Sequence, residues 1–148
     1  MRKTQQHVSD FPTDAGMNCV GYRIRLLSRI VTGIYDDALA PLKLKGSQFN
    51  LLDVLSRGGP LLTVEVCRLT KMDKSTASRN LDRMRRRGWL SMSPSRQGKG
   101  QTVSISPAGM QVLRAAYPLW RKAQDEAMGR LGTDGSRALR VIMRSVKD

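Results

Sequence analysis

The sequence predicts a mainly α-helical protein with one small β-hairpin. Over most of the chain, apolar residues recur at steps of three and four, which is the period of an amphipathic helix. Strand-like patterns are confined to residues 89–106, around a loop rich in glycine and basic residues. Two short helical segments joined by a tight linker come directly before that hairpin. This order is typical of a winged helix-turn-helix lobe.

Residues 1–16 are polar, show no helical period and are predicted to form a disordered tail. The first helix follows and is expected to end near Ala40. Ser47 is the predicted N-cap of a second, short helix that stops at Gly58. The apolar faces of these two helices are predicted to be Ile24, Leu27, Val31, Ile34 and Ala38 in the first, and Phe49, Leu52 and Leu55 in the second.

The third and fourth helices are expected to begin after the capping residues Thr63 and Asp73. In the third, Val66 and Leu69 are predicted to face inward. The fourth helix, KSTASRNLDRMRRR, is polar except for a narrow apolar stripe on one face. Gly88 follows this helix in the position of a left-handed C-cap. The apolar members of that stripe are Ala77, Leu81 and Met84.

After the hairpin, Pro107 opens a long helix in which Pro118 is expected to kink the axis. A last helix is predicted after Gly132, so the order is α-α-α-α-β-β-α-α. A small lobe does not cover three long apolar faces alone, which favours a homodimer, although packing within one subunit is the alternative. The predicted organisation is a first dimerisation helix at 17–46, the winged helix-turn-helix lobe at 47–106 and C-terminal dimerisation helices at 107–148.

Composition narrows the partner to a polyanion. The chain has 148 residues, enough for one compact domain, and a net charge of +14. Nucleic acid is the leading partner and a membrane surface the second, because each neutralised phosphate releases counterions. The two cysteines lack metal-ligand spacing, so no metal or cofactor is expected. No apolar run approaches the roughly 20 residues of a membrane span, and a cytoplasmic protein is predicted.

Basic residues are concentrated in the predicted helix-turn-helix and hairpin. Residues 71–101 hold nine basic and two acidic residues, a net of +7, which is half of the total. Most charge runs are solvated helix faces. Here the run ends the second helix of a helix-turn-helix, the helix that enters the DNA major groove, so double-stranded DNA is the predicted partner.

Helical projection places the candidate DNA contacts opposite the apolar stripe. Ser75, Thr76 and Arg79 lie near the start of the fourth helix and are predicted to read base edges. The phosphate-binding and flanking candidates in the same helix are Lys74, Ser78, Arg83 and Arg86. Asp82 is expected to orient Arg79 or Arg86 by pairing along the helix. At the hairpin tip, Arg96 and Lys99 are predicted to reach the minor groove or its backbone.

From about Cys19 to its end, the chain resembles the MarR family of bacterial regulators. The segments that carry the resemblance are QFNLLDVL, VEVCRLTKMDKSTASRNLDRMRRRGWL, the hairpin and ISPAGMQVL. The resemblance implies a homodimer in which the first helix interlocks with the last two. It also implies an inverted-repeat operator, and usually a repressor that a small molecule or an oxidant releases.

Two segments, the wing and the third helix, depart from the family pattern. The Asp-Arg-Arg run usual in the wing is Gln97, Gly98 and Lys99 here, which removes a carboxylate and one guanidinium. In the third helix, Cys67 stands where the family has a small buried residue, and it is expected to be purely structural.

A small aromatic or phenolic effector is a further expectation. An aromatic anion would fit a pocket near Tyr22, Arg23, Tyr35 and Phe49, although such positions are more often core and surface. Cys19 lies where oxidant-sensing members of the family hold a reactive thiol. The helix start and nearby Arg23 favour a thiolate there, whereas an inert, partly buried cysteine is the alternative.

Two other classes of function compete with a specific regulator. The charge alone would permit a non-specific nucleic-acid-binding or packaging protein. An enzyme is disfavoured, because the single histidine, His7, lies in the tail and no nucleotide-binding glycine loop precedes a helix.

Overall fold

The computed structural model describes residues 18–95, 98 and 100–146 and confirms the mainly helical winged helix-turn-helix fold. The predicted tail, residues 1–16, lies outside the described residues. The chain divides into two compact units, residues 1–33 and 34–148. The described helices are α1 (Val20–Leu39), α2 (Gly46–Gly58), α3 (Thr63–Thr70), α4 (Lys74–Arg86) and α5 (Pro107–Ser145), with a short 3-10 turn at Ala40–Leu42.

The sheet has three short antiparallel strands rather than the predicted two. These are β1 (Leu61–Leu62), β2 (Leu90–Pro94) and β3 (Gln101–Ile105), with β3 in the centre. The hairpin register pairs Leu90 with Ile105 and Met92 with Val103. Val103 is fully buried, so one face of the sheet packs on the core and the other carries mostly hydroxyl side chains.

One core holds the lobe together within residues 34–148. It takes side chains from every helix of that unit and from the hairpin, and removing their apolar surface from water is the main stabilising contribution. Its largest fully buried apolar members are Leu39, Leu44, Leu51, Leu52, Leu55, Val66, Leu81, Met84 and Val103.

Three local expectations about helix starts and inward faces are wrong. The N-cap of α2 is Lys45 rather than Ser47, because the side chain of Gln48 turns back and accepts from the Lys45 backbone N–H at 3.1 Å. In the same way Glu65 accepts from the backbone of Leu62 at 2.8 Å. Thr63 is therefore the first residue of α3 and not its cap. Leu69 is 49% exposed and does not face inward as predicted.

The backbone of α5 departs from helical dihedrals at Gly132, whereas the kink of the axis expected at Pro118 stays a prediction. Gly132 has φ 65° and ψ 179°, a conformation open to glycine because it has no Cβ. Pro118 lies inside the helix with helical dihedrals. The two predicted C-terminal helices are thus the two halves of α5 on either side of Gly132.

The end of α4 and the start of α5 are joined by a close contact. Ser106 caps α5 by accepting from the Gly109 backbone N–H at 3.0 Å, and its own hydroxyl donates to the Gly88 carbonyl oxygen at 2.5 Å. The Ser106 N–H donates to the Trp89 carbonyl oxygen at 3.0 Å. A Cβ on Gly109 would lie 2.1 Å from that same carbonyl oxygen, so only glycine fits.

Gly109→Ala is expected to lower the free energy of unfolding by about 3 kcal/mol, the upper range for overpacking, because the obstructing atom is backbone. Gly129→Ala is the matched control in the same helix. Nothing lies within 4 Å of its added Cβ, and better helix propensity should raise stability by about 0.5–1 kcal/mol. Chemical denaturation at one fixed protein concentration measures both variants, and equal stabilities would contradict the close contact.

Candidate nucleic-acid interface

Both ends of α4 are fixed by local hydrogen bonds. Asp73 is the N-cap, as predicted, and its carboxylate accepts from the Thr76 backbone N–H at 2.8 Å. At the other end Gly88 has φ 74°, and its N–H donates to the Arg85 carbonyl oxygen at 2.9 Å. The Trp89 N–H donates to the Met84 carbonyl oxygen at 3.0 Å, which completes a Schellman motif. The helix therefore has a defined length and a defined exit.

The rotation of α4 about its axis is set by its apolar stripe. Ala77, Leu81 and Met84 are all at most 1% exposed and belong to the buried core of the lobe. The remaining positions in the helix are polar, so burial of this stripe is the only apolar anchor along α4. Its burial turns the opposite side of the helix to solvent.

The solvent side of α4 carries the residues that the sequence predicts as DNA contacts. Thr76 is half-buried, and the exposed members are Lys74, Ser75, Ser78, Arg79, Arg83 and Arg86. Within the part of the chain that the structure describes, neither Arg79 nor Arg83 pairs with a carboxylate. Their guanidinium groups are therefore available to an anionic ligand.

Asp82 pairs along the helix toward the C-terminus. Its two carboxylate oxygens lie 2.9 Å from Arg85 Nη2 and 2.6 Å from Arg86 Nη2. Hydrogen bonding from Arg85 is the main cause that lowers the pKa of Asp82, with the charge of Arg86 adding to it. Of the two pairings expected from the sequence, the one with Arg86 is present, and the place of Arg79 is taken by Arg85.

Arg87 has a different role from the other arginines of this segment. Its guanidinium donates to the Lys43 carbonyl oxygen at 2.5 Å and lies 4.8 Å over the ring of Trp89. It therefore connects the end of α4 to the turn before α2. The sequence does not predict this contact, because no spacing rule indicates that Arg87 donates to the carbonyl oxygen of Lys43.

The hairpin is placed beside α4, since β2 contacts that helix. The Ser95 N–H donates to the Gly100 carbonyl oxygen at 3.0 Å and closes the base of the loop. The Thr63 hydroxyl donates to the Gln101 carbonyl oxygen at 3.2 Å and ties α3 to β3. The predicted tip contacts, Arg96 and Lys99, lie outside the described residues, as does Gln97 of the departing wing motif.

The four residues of the predicted effector pocket belong to different units. Tyr22 is exposed, and the Arg23 guanidinium donates to Asn18 Oδ1 at 2.7 Å. In residues 34–148, the Tyr35 hydroxyl donates to Gln124, and burial raises the pKa of Tyr35. Phe49 is 4% exposed and stacks on Trp120 at 5.6 Å, so its ring belongs to the core. A pocket shared by all four stays a prediction.

The two cysteines differ in exposure. Cys19 is exposed and directly precedes α1, and its carbonyl oxygen accepts from the Arg23 backbone N–H at 3.0 Å. Cys67 is half-buried in α3. Among the described residues, no group of three or more His, Cys, Asp or Glu side chains is arranged to hold a metal ion. No helix in the described ranges is long and apolar enough to cross a membrane.

Comparisons with known proteins agree on one family. A family model described as "MarR family" matches residues 42–99. The chain is 25% identical over 130 residues to the HTH-type transcriptional repressor NicR of Pseudomonas putida, covering 87% of this chain and 82% of NicR.

Solved structures share the fold. The transcriptional regulator MosR of M. tuberculosis is 30% identical, with a TM-score of 0.75 over 86% of this chain and 93% of MosR. A mutant of E. coli MarR, solved with operator DNA, is 20% identical and has a TM-score of 0.81 over 93% of this chain and 100% of that one.

Asp73→Ala is expected to fray the first turn of α4 and to bind every duplex more weakly than Asp73→Ser, which removes the same charge but keeps an acceptor for the cap. The hydrogen bond from Thr76 lowers the pKa of Asp73. Its stabilisation is therefore present above the ordinary carboxyl value of 3.8 and is lost as pH falls through the lowered pKa. Acid titration of helical circular dichroism should show a weaker pH dependence in Asp73→Ser. An unchanged acid profile would count against the cap.

Proposed function

Because this chain belongs to the MarR family of transcriptional regulators, which is not a family of enzymes, we propose that it is a repressor that binds an inverted-repeat operator as a homodimer. The observation that carries the proposal is the orientation of α4. Its apolar stripe is buried to within 1% exposure, while its hydroxyl and guanidinium side chains face solvent beside a hairpin. That arrangement fits the major groove of B-form DNA.

Each DNA-facing residue has a proposed role. Ser75, Thr76 and Arg79 are near the start of α4, which penetrates deepest, and they read base edges. The phosphate-binding and flanking set is Lys74, Ser78, Arg83 and Arg86. For Arg96 and Lys99, which the sequence predicts to lie in the loop of the hairpin, the proposed contact is the minor groove or its backbone.

The homodimer is supported by apolar surface at the end of α5. Five large apolar residues in its last eight positions and just beyond are between 40% and 72% exposed, which is unusual for a lone soluble domain. They are Leu139, Val141, Ile142, Met143 and Val146. The apolar residues of α1 in the other unit, among them Val20 and Ile24, are also exposed. We propose that residues 17–46 and 107–148 form the dimerisation region, where a second copy covers these faces.

Selection of bound duplexes from a random pool tests the proposal, and the expected product is one motif made of two inverted half-sites. Arg79→Ala should weaken binding to that motif by about 1–3 kcal/mol and relax the sequence choice. Arg114→Ala is the control, because it removes the same charge from an exposed position of α5. Titration of each variant against the selected and a scrambled duplex measures the difference. Equal losses on both duplexes for Arg79→Ala would contradict base reading.

The alternative function, non-specific packaging, predicts a different result from the same pool. No motif would emerge, and duplexes of different sequence would bind equally well at every salt concentration. For the repressor, Lys99→Ala should weaken all duplexes alike while the motif stays unchanged.

Release from the operator is proposed to follow from an aromatic or phenolic effector or from oxidation at Cys19. The thiol is exposed at the start of α1, which supports access by an oxidant. Mild peroxide should therefore lower operator affinity of the parent and of Cys67→Ser, but not of Cys19→Ser. Loss of affinity in Cys19→Ser under the same treatment would exclude the thiol as sensor, and thermal shifts with phenolic acids test the other route.

A further inference from the structure

Asp82 is the single acidic residue of α4, and it lies in the middle of the DNA-facing side. On a helix, residues 79, 82, 83 and 86 share one face, so the carboxylate is surrounded by three of the arginines proposed to meet DNA. An acidic group at this place repels the phosphates of DNA. Its contacts indicate what purpose it serves.

The Asp82 carboxylate divides the arginines of α4 into two classes. Its two oxygens bind two different guanidinium groups, Arg85 at 2.9 Å and Arg86 at 2.6 Å. The three side chains together carry a net charge of +1, where the two arginines alone would carry +2. Arg79 and Arg83, on the same face, have no carboxylate partner among the described residues.

Pairing with Asp82 also fixes where the two guanidinium groups point. Arg85 and Asp82 line an open groove between α4 and the hairpin, next to Ser78 and Met92. Arg86 and Asp82 line a shallow concavity that continues along the helix to Arg79. One carboxylate therefore directs one arginine toward the hairpin and the other along the face of α4. Hydrogen bonding from Arg85 lowers the pKa of Asp82, which favours the ionised carboxylate.

We infer that Asp82 is a specificity-determining positioning residue, which holds Arg85 and Arg86 in place and thereby weakens binding to random DNA more than binding to the operator. The inference rests on the proposed function. Binding to random DNA is almost entirely electrostatic, and each additional neutralised phosphate strengthens it. A carboxylate that engages two guanidinium groups removes part of that attraction on every duplex.

On the operator, the same carboxylate has a compensating benefit. A guanidinium that is already held in position loses less conformational freedom when it meets its partner on the operator. The carboxylate of Asp82 therefore lowers the affinity for the operator less than it lowers the affinity for random DNA. Without Asp82, two mobile arginines would follow any phosphate backbone. The ratio of operator to random affinity is therefore the quantity that Asp82 sets.

Asp82→Asn tests this, since it keeps the size of the side chain and removes the charge. At 0.1 M salt, we expect affinity for random duplex to rise about 5- to 10-fold, as one more phosphate contact would give, and the logarithmic salt slope to steepen by about 0.9. Operator affinity should rise less, so that the operator-to-random ratio falls. Asp82→Glu keeps a carboxylate and should restore most of the ratio.

Asp53→Asn is the matched control. Asp53 pairs with Arg57 at 3.0 Å along α2, so its substitution changes the net charge equally and also releases an arginine, but outside α4. The control should leave the ratio unchanged. Equal changes in both variants would overturn the inference, as would an Asp82→Asn variant that loses affinity for random DNA. Thermal unfolding of each variant confirms that the folded proteins are compared.

The experiment separates this inference from the function on which it rests. If the parent protein shows a preferred duplex and Asp82→Asn keeps the same ratio, the inference fails and the repressor stands. If the parent prefers no duplex at all, the proposed function itself fails.

Discussion

The burial of three side chains on α4 is the constraint on which the rest of the site depends. Ala77, Leu81 and Met84 anchor the helix to the core and leave it one permitted rotation about its axis. A capped start at Asp73 and a Schellman end at Gly88 fix its length. Since all other positions in the helix are polar, the direction in which its guanidinium and hydroxyl groups point is decided by apolar packing on the far side.

The arginines of α4 and the turn after it are not equally available to an anionic partner. Arg79 and Arg83 present open guanidinium groups, Arg85 and Arg86 share the carboxylate of Asp82, and Arg87 packs on Trp89. Five arginines within nine residues thus have three different environments. Net charge predicts affinity for a polyanion in general, whereas the local partners of each arginine determine which guanidinium groups are available to bind it.

The sequence was sufficient for the parts of the fold that local rules control, such as the α4 stripe, the Asp73 cap and the left-handed Gly88. It was insufficient where a side chain from inside a helix supplied the cap, because Gln48 and Glu65 displaced Ser47 and Thr63 from that role. The pairing of Asp82 with Arg85 is not determined by the sequence, because Arg79, Arg85 and Arg86 all lie three or four residues from Asp82. The two-residue strand β1 and the Arg87 contact with Lys43 depend on tertiary neighbours, which periodicity does not show.

The junction of Ser106 and Gly109 with the Gly88–Trp89 turn has a mechanical consequence. Two hydrogen bonds from Ser106, and a contact between Gly109 and the Trp89 carbonyl oxygen that excludes any Cβ, join the turn after α4 to the first turn of α5. We therefore expect the end of α4 and the start of α5 to move as one rigid unit.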